Sequence, residues 1–146
     1  MPPDSHLTLI AKTIQLSVAP VFLLTAIGTM LSVLTSRFNR IVDRSRVLEE
    51  RVTSLPATEK GTMRTELSTL ARRSKLIDAA ITVSIIGAIL ICSMIAAMFI
   101  GVFLSIDLSD FVALLFVTAV LAFIGALLAF LREILIASKA LRIGMK

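Results

Sequence analysis

Long apolar runs separated by charged or polar stretches dominate the pattern of this chain. Residues 16–34, 79–104 and 111–131 are apolar and almost free of charge, and a membrane-spanning helix needs about 20 such residues. A short polar break, 105–110, separates the second and third runs, and a long charged insert, 35–78, separates the first and second. The pattern predicts an all-α membrane protein with three transmembrane helices.

The charged insert carries two apolar seams at helical spacing. The members of each seam are separated by three or four residues, and each seam includes one serine. The first seam is Phe38, Ile41, Ser45, Leu48, Val52 and Leu55, and the second is Met63, Leu67, Leu70, Ser74 and Ile77. This alternation is the a/d pattern of a coiled coil. Pro56 and Gly61 between the seams are turn signals. We therefore expect residues 35–78 to form an antiparallel, coiled-coil-like helical hairpin.

The register of this hairpin makes a specific prediction. Folding the chain back at Ala57 and Thr58 pairs each position of the second seam with a position of the first. The same register sets Arg37 opposite Asp78, where both helices would enter the bilayer, and a charge at that depth is less costly when it is paired. We predict an ion pair between these two residues and, on the outside of the hairpin, a charged face made of Arg40, Asp43 and Arg44.

Hydroxyl-bearing residues line one face of the first span. They recur at spacings of three and four and include Thr25, Thr29, Ser32 and Ser36. A face of this kind packs closely against another helix, lines a water-filled pore, or bonds back to the carbonyls of its own helix while facing lipid. The sequence leaves the three interpretations open.

The distribution of basic residues predicts the orientation in the membrane. Of the 15 Lys and Arg residues, all except Lys12 lie in the hairpin or in the C-terminal segment 132–146. The positive-inside rule then places both of these segments in the cytoplasm, and the N-terminal tail, 1–15, and the 105–110 turn outside. The cytoplasmic side also holds seven acidic residues, which leaves it at about +7, a charge that attracts anionic lipid headgroups.

Candidate chemistry is sparse. The second and third apolar runs contain no ionisable side chain other than the single cysteine, Cys92, and the chain has one histidine, so no catalytic, metal-binding or cofactor-binding pattern can be assembled. Basic residues are interleaved with acids, and Trp and Tyr are absent, which argues against nucleic-acid binding. We expect a protein that is not an enzyme and needs no cofactor.

Several motifs resemble those of a known family. They are Ala19-Pro20 in the first span, Arg37-Phe38-Asn39-Arg40 followed by Asp43-Arg44, the later Arg72-Arg73, and Phe130-Leu131-Arg132-Glu133-Ile134. Through these motifs the chain resembles the bacterial domain-of-unknown-function 2721 family, and the resemblance covers nearly the whole chain. The resemblance implies three membrane passes and a location in the bacterial inner membrane, and it implies no activity.

Two functions of different class fit these observations. In the first, the protein is a structural or accessory subunit that forms a homo-oligomer or docks a partner protein through its hairpin. In the alternative, it is a homo-oligomeric ion channel whose pore is lined by the hydroxyl face of the first span. A ring of arginines at the cytoplasmic mouth of such a channel would favour anions, and its members would be Arg37, Arg40 and Arg44.

Overall fold

Every element that the structure describes is an α-helix. The computed structural model describes residues 3–54 and 60–143, which form α1 (Pro3–Ser54), α2 (Lys60–Leu104) and α3 (Ser109–Ile143). Each helix contains a segment long and apolar enough to cross a membrane. The prediction of an all-helical protein with three candidate spans is therefore confirmed, whereas the turn predicted around Pro56 lies outside the described residues.

The helices are longer than the apolar runs within them. The 52 residues of α1 include Pro20 in the helix interior, and the helix begins at Pro3, within the segment that we expected to be an N-terminal tail. A proline inside a helix removes one backbone hydrogen bond, which membrane helices tolerate when nearby groups compensate. In the turns of α1 that precede Pro20, two hydroxyls donate to backbone carbonyls one turn earlier. Thr13 donates to Leu9 at 2.9 Å, and Ser17 donates to Thr13 at 2.8 Å.

The chain divides into two compact units. The first unit comprises Met1–Met30 and Val83–Ile124. Ile27 of α1 and Ile91 of α2 are fully buried there, and small residues bring the helices together. A Cβ atom added at Gly87 would lie 3.6 Å from the carbonyl oxygen of Ala119, in ordinary van der Waals contact, so this part of α2 packs directly against the α3 backbone.

Backbone and side-chain bonds define the turn between α2 and α3. Ser105 adopts a left-handed conformation with φ of 53°, and the N–H of Ile106 donates to the carbonyl of Gly101 at 3.0 Å, which together form a Schellman-type helix end. Gly101 leaves room for this turn, because a Cβ there would lie 3.1 Å from the Ile106 carbonyl oxygen. Asp107 then accepts hydrogen bonds from the N–H and the hydroxyl of Ser109 at the start of α3.

The second unit comprises Leu31–Thr82 and Gly125–Lys146. Its fully buried side chains include Leu34 and Ile77. The ten seam positions that the structure describes are buried or half-buried, so the seams mark the inward faces of α1 and α2. Leu55, the last position of the first seam, lies outside the described residues. Their pairing in an antiparallel coiled coil remains a prediction.

A cavity of about 460 Å³ interrupts the packing of the second unit. Its lining includes Ile41, Leu67 and Leu70, together with Ser45 and Ser74, the two serines of the seams. A serine at a seam position supplies less volume than the leucine or isoleucine usual there, and protein interiors leave few such voids. The small side chains of the two serines therefore contribute to the size of this cavity.

We predict that Ser45→Leu stabilises the protein. The hydroxyl of Ser45 is bonded only to the Val42 carbonyl of its own helix at 2.8 Å, and a leucine side chain that fills part of the cavity should add about 1–2 kcal/mol of apolar burial. Thermal unfolding followed by helical circular dichroism measures the effect. The matched control is Thr65→Leu at an exposed position, which should change stability by less than about 0.5 kcal/mol; equal shifts in both variants would contradict the prediction.

Candidate functional site

A fully buried carboxylate lies at the centre of the second unit. Glu133 of α3 has no exposed surface. Its Oε2 accepts a hydrogen bond from the guanidinium of Arg37 on α1 at 3.0 Å. Its Oε1 accepts two more, from the Nε (3.1 Å) and the NH2 group (2.8 Å) of Arg73 on α2. One side chain from α3 is thus bonded to both other helical segments of this unit.

The two arginines differ in their surroundings. The Arg37 side chain is 42% exposed and that of Arg73 is 22% exposed. The guanidinium of Arg37 also lies over the ring of Phe130, 5.3 Å from its centroid, a cation–π geometry that fixes the arginine from a second direction. Phe130 and Glu133 are three residues apart on α3, so one face of that helix supplies both contacts.

The arrangement satisfies the electrostatic demand of burial. An isolated buried carboxylate is strongly disfavoured unless it is paired and hydrogen-bonded, and charge-assisted bonds from guanidinium groups are the strongest available partners. Both oxygens of Glu133 are bonded, and no buried side-chain nitrogen or oxygen among the described residues lacks a partner. Two arginines facing one carboxylate leave a formal charge of +1 on the cluster, which we call the Glu133 clamp (Arg37, Arg73 and Glu133).

The ion pair predicted between Arg37 and Asp78 is corrected by this geometry. Arg37 bonds to Glu133, while Asp78 is exposed and forms no ion pair with Arg37 among the described residues. The prediction considered only the two hairpin helices, yet the carboxylate that Arg37 meets is 96 residues away on α3. Buried Glu133 makes the stronger demand for a cationic partner, because nothing else can compensate a charge with no exposed surface.

The predicted charged face of the hairpin is exposed. Arg40 and Asp43 are both accessible, and neither forms an ion pair with another described residue. Arg44 pairs with Glu66 of α2 at 2.9 Å, but the two side chains are 61% and 46% exposed. Exposed pairs of this kind contribute about 0–1 kcal/mol, so this face adds little to the stability of the unit.

The hydroxyl face of α1 is accessible in the single chain. Thr25 and Thr29 are exposed, and their hydroxyls donate to the backbone carbonyls of Val21 (3.1 Å) and Thr25 (3.0 Å). Ser32 and Ser36 are also exposed. The two threonines show the self-bonded arrangement that lets a hydroxyl face lipid.

Comparison with known proteins identifies the family. A sequence model described as "Protein of unknown function (DUF2721)" matches residues 17–143, which include most of α1, the whole of α2 and α3, and the Glu133 clamp. The chain belongs to this family. No curated protein and no solved structure matches this DUF2721 protein.

Sequence reasoning missed two members of the clamp in this DUF2721 protein. Arg73 and Glu133 stand in the motifs that carry the family resemblance, but neither was assigned a contact. One signal was available: Glu133 is the only acidic residue after Asp110, and it follows the third apolar run directly. An acidic residue at the end of an apolar run indicates a buried partner of opposite charge.

We predict that Glu133→Gln destabilises the second unit of this DUF2721 protein. The substitution keeps the shape but leaves two guanidiniums without their carboxylate. Because both arginines retain access to solvent, the expected cost is about 1–3 kcal/mol. Chemical or thermal unfolding in detergent, followed by circular dichroism, measures the loss. The same substitution at the exposed partner of Arg44, Glu66→Gln, is the control and should cost less than about 1 kcal/mol. Comparable losses in the two variants would show that the clamp is not a stabilising centre.

Proposed function

We propose that this protein is a non-enzymatic structural or accessory subunit of the bacterial inner membrane. In this proposal its charged hairpin lies in the cytoplasm and docks a second copy of the chain or a partner protein. The observation that carries the proposal is the closed Glu133 clamp. Its three charged side chains bond to each other, so they support the packing of the unit and leave recognition to the exposed face.

The exposed face of the hairpin has the properties of a docking surface. Arg40 and Asp43 are accessible, carry opposite charges and are not held by ion pairs with other described residues. Neighbouring charges of opposite sign favour a partner with the complementary arrangement and reject one with like charges. The clamp fixes α1 near this face through Arg37, so docking there requires little ordering of side chains or backbone.

The proposed orientation follows from the charge distribution. With all basic residues except Lys12 on the hairpin side, the positive-inside rule favours a cytoplasmic hairpin and C-terminus and an external N-terminus. The excess of positive charge on that side also favours anionic lipid headgroups as neighbours of the hairpin.

We predict opposite labelling of two single cysteines. In a Cys92→Ala background, Ile106→Cys lies in the exposed turn between α2 and α3, and Thr65→Cys lies on the exposed surface of α2. A membrane-impermeant maleimide added to intact spheroplasts should label Cys at 106, and should label Cys at 65 only after permeabilisation. The reverse pattern would place the hairpin outside and would end the proposal of a cytoplasmic interface.

We predict that a photo-crosslinker at position 43 captures the docked molecule in living cells. The product should have either twice the mass of the chain or the mass of the chain plus one defined partner, because a docking surface holds its partner in one register. The same crosslinker at Phe103, an 84% exposed position on α2 in the other unit, is the control and should give no such product. The absence of a defined product at position 43 would overturn the proposed interface.

The channel remains the second candidate because the whole hydroxyl face is accessible. Thr25, Thr29, Ser32 and Ser36 are all exposed, so several copies could place this face around an axis. Native mass spectrometry of the detergent-purified protein separates the candidates first, since a monomer excludes the channel. If the purified protein is instead a homo-oligomer, ion flux through liposomes is measured for the unchanged protein and for Ser32→Leu. A loss of flux in Ser32→Leu would favour the channel over the structural subunit.

A further inference from the structure

A groove of about 780 Å³ opens in the first unit, and none of the Glu133 clamp residues line it. On α1 its lining extends from His6 to Pro20, and on α2 and α3 it includes Met94, Met98 and Phe116. Its polar side chains are concentrated near the first residues of α1 and the turn between α2 and α3, and include His6, Ser105, Asp107 and Ser109. The groove is therefore amphiphilic, with a polar rim and an apolar interior.

The dimensions of the groove match one leaflet of a bilayer. His6 and Pro20 are 14 residues apart on a continuous helix, which corresponds to about 21 Å along α1. Half of the hydrocarbon core of a bilayer is about 15 Å, so an acyl chain of one leaflet can occupy the apolar length while its headgroup remains at the rim.

The apolar part of the groove faces the side of the helices that would contact lipid. All three helices that line it contain candidate membrane spans, and lining residues such as Leu16 remain 57% exposed in the single chain. An apolar cavity offers water too few hydrogen-bond partners, and leaving it empty forfeits the dispersion contacts of every lining atom. Hydrocarbon from the surrounding lipid supplies those contacts.

The rim selects for a cationic group. Asp107 accepts both of its hydrogen bonds from Ser109 through Oδ1, so Oδ2 retains acceptor capacity. Two hydrogen bonds hold the pKa of Asp107 below its ordinary value: the bond from the Ser109 hydroxyl has the larger effect and the bond from the Ser109 N–H the smaller. The carboxylate is therefore ionised at neutral pH. Among the residues whose side chains the structure describes, no Lys or Arg lines the groove, so an ammonium group is favoured there over a purely anionic headgroup.

We propose that this groove binds one phospholipid with an ammonium-bearing headgroup, the chemistry of phosphatidylethanolamine. One acyl chain lies between α1 and the α2–α3 pair, and the ammonium group contacts Asp107. The inference rests on the membrane placement of the proposed function and is independent of the partner at the hairpin.

A single tryptophan tests the proposal because the chain contains no Trp or Tyr. Phe116→Trp puts the only indole in the groove, and Leu114→Trp, two residues away at a 63% exposed position outside the lining, reports on bulk lipid. The full chain is reconstituted in liposomes of phosphatidylglycerol, which has no ammonium group, with small fractions of brominated phosphatidylethanolamine. Quenching at 116 should exceed quenching at 114 by about twofold or more, because a site that binds lipid enriches it above its bulk fraction.

Two further measurements make the test specific. Asp107→Asn keeps an oxygen that can accept from Ser109 but removes the charge, and should raise the lipid fraction needed for half-quenching at 116 about tenfold, the effect of losing one charge-assisted bond. Brominated phosphatidylglycerol, which has no ammonium group, should quench both positions equally. Both leaflets contain the quencher, so a reversed orientation of the hairpin would not change the result.

Two results would overturn the proposal. Equal quenching at 116 and 114 by every lipid would show only the ordinary lipid annulus. Protection of position 116 from all brominated lipids, together with a dimer in native mass spectrometry, would show that a second copy of the chain fills the groove. Neither result bears on crosslinking from position 43, so a failure here is distinguishable from a failure of the docking proposal.

Discussion

The buried carboxylate of Glu133 imposes the strictest condition on this protein. A charge with no exposed surface is tolerated only where partners of opposite sign reach it with good geometry. Arg37 and Arg73 meet that condition from two other helical segments, through three hydrogen bonds. The position of each segment in the second unit is therefore tied to the position of one side chain, in a way that apolar contacts alone do not impose.

In other parts of the described chain, polar groups form hydrogen bonds with nearby backbone groups, and many large apolar side chains remain exposed. Threonine hydroxyls on α1 bond to carbonyls one turn earlier, and the left-handed Ser105 lets the end of α2 bond to the following turn. Large apolar side chains such as Phe22 and Phe103 remain 71% and 84% exposed, as expected where the solvent is hydrocarbon. In such a medium apolar burial gives helices little reason to associate, which makes the few polar contacts between them decisive.

The sequence was most informative where a signal repeats along the chain. Three apolar runs predicted three helices, and the three-and-four spacing of the seams identified the buried positions of α1 and α2, including Ile41 and Ile77. The clamp could not be found in this way, because its members are single residues separated by 96 and 60 positions. A pairing at that separation depends on how α3 packs, and neither hydrophobic period nor turn chemistry between α1 and α2 carries that information.

The separation of the clamp residues in sequence also orders the biogenesis of the protein. Arg37 and Arg73 precede Glu133 by 96 and 60 residues, so both guanidiniums are synthesised before the carboxylate that neutralises them. The second unit can therefore close around this cluster only once α3 has been synthesised as far as Glu133. A chain that terminates before Glu133 lacks the carboxylate and leaves Arg37 and Arg73 without the partner that ties α1 and α2 to α3.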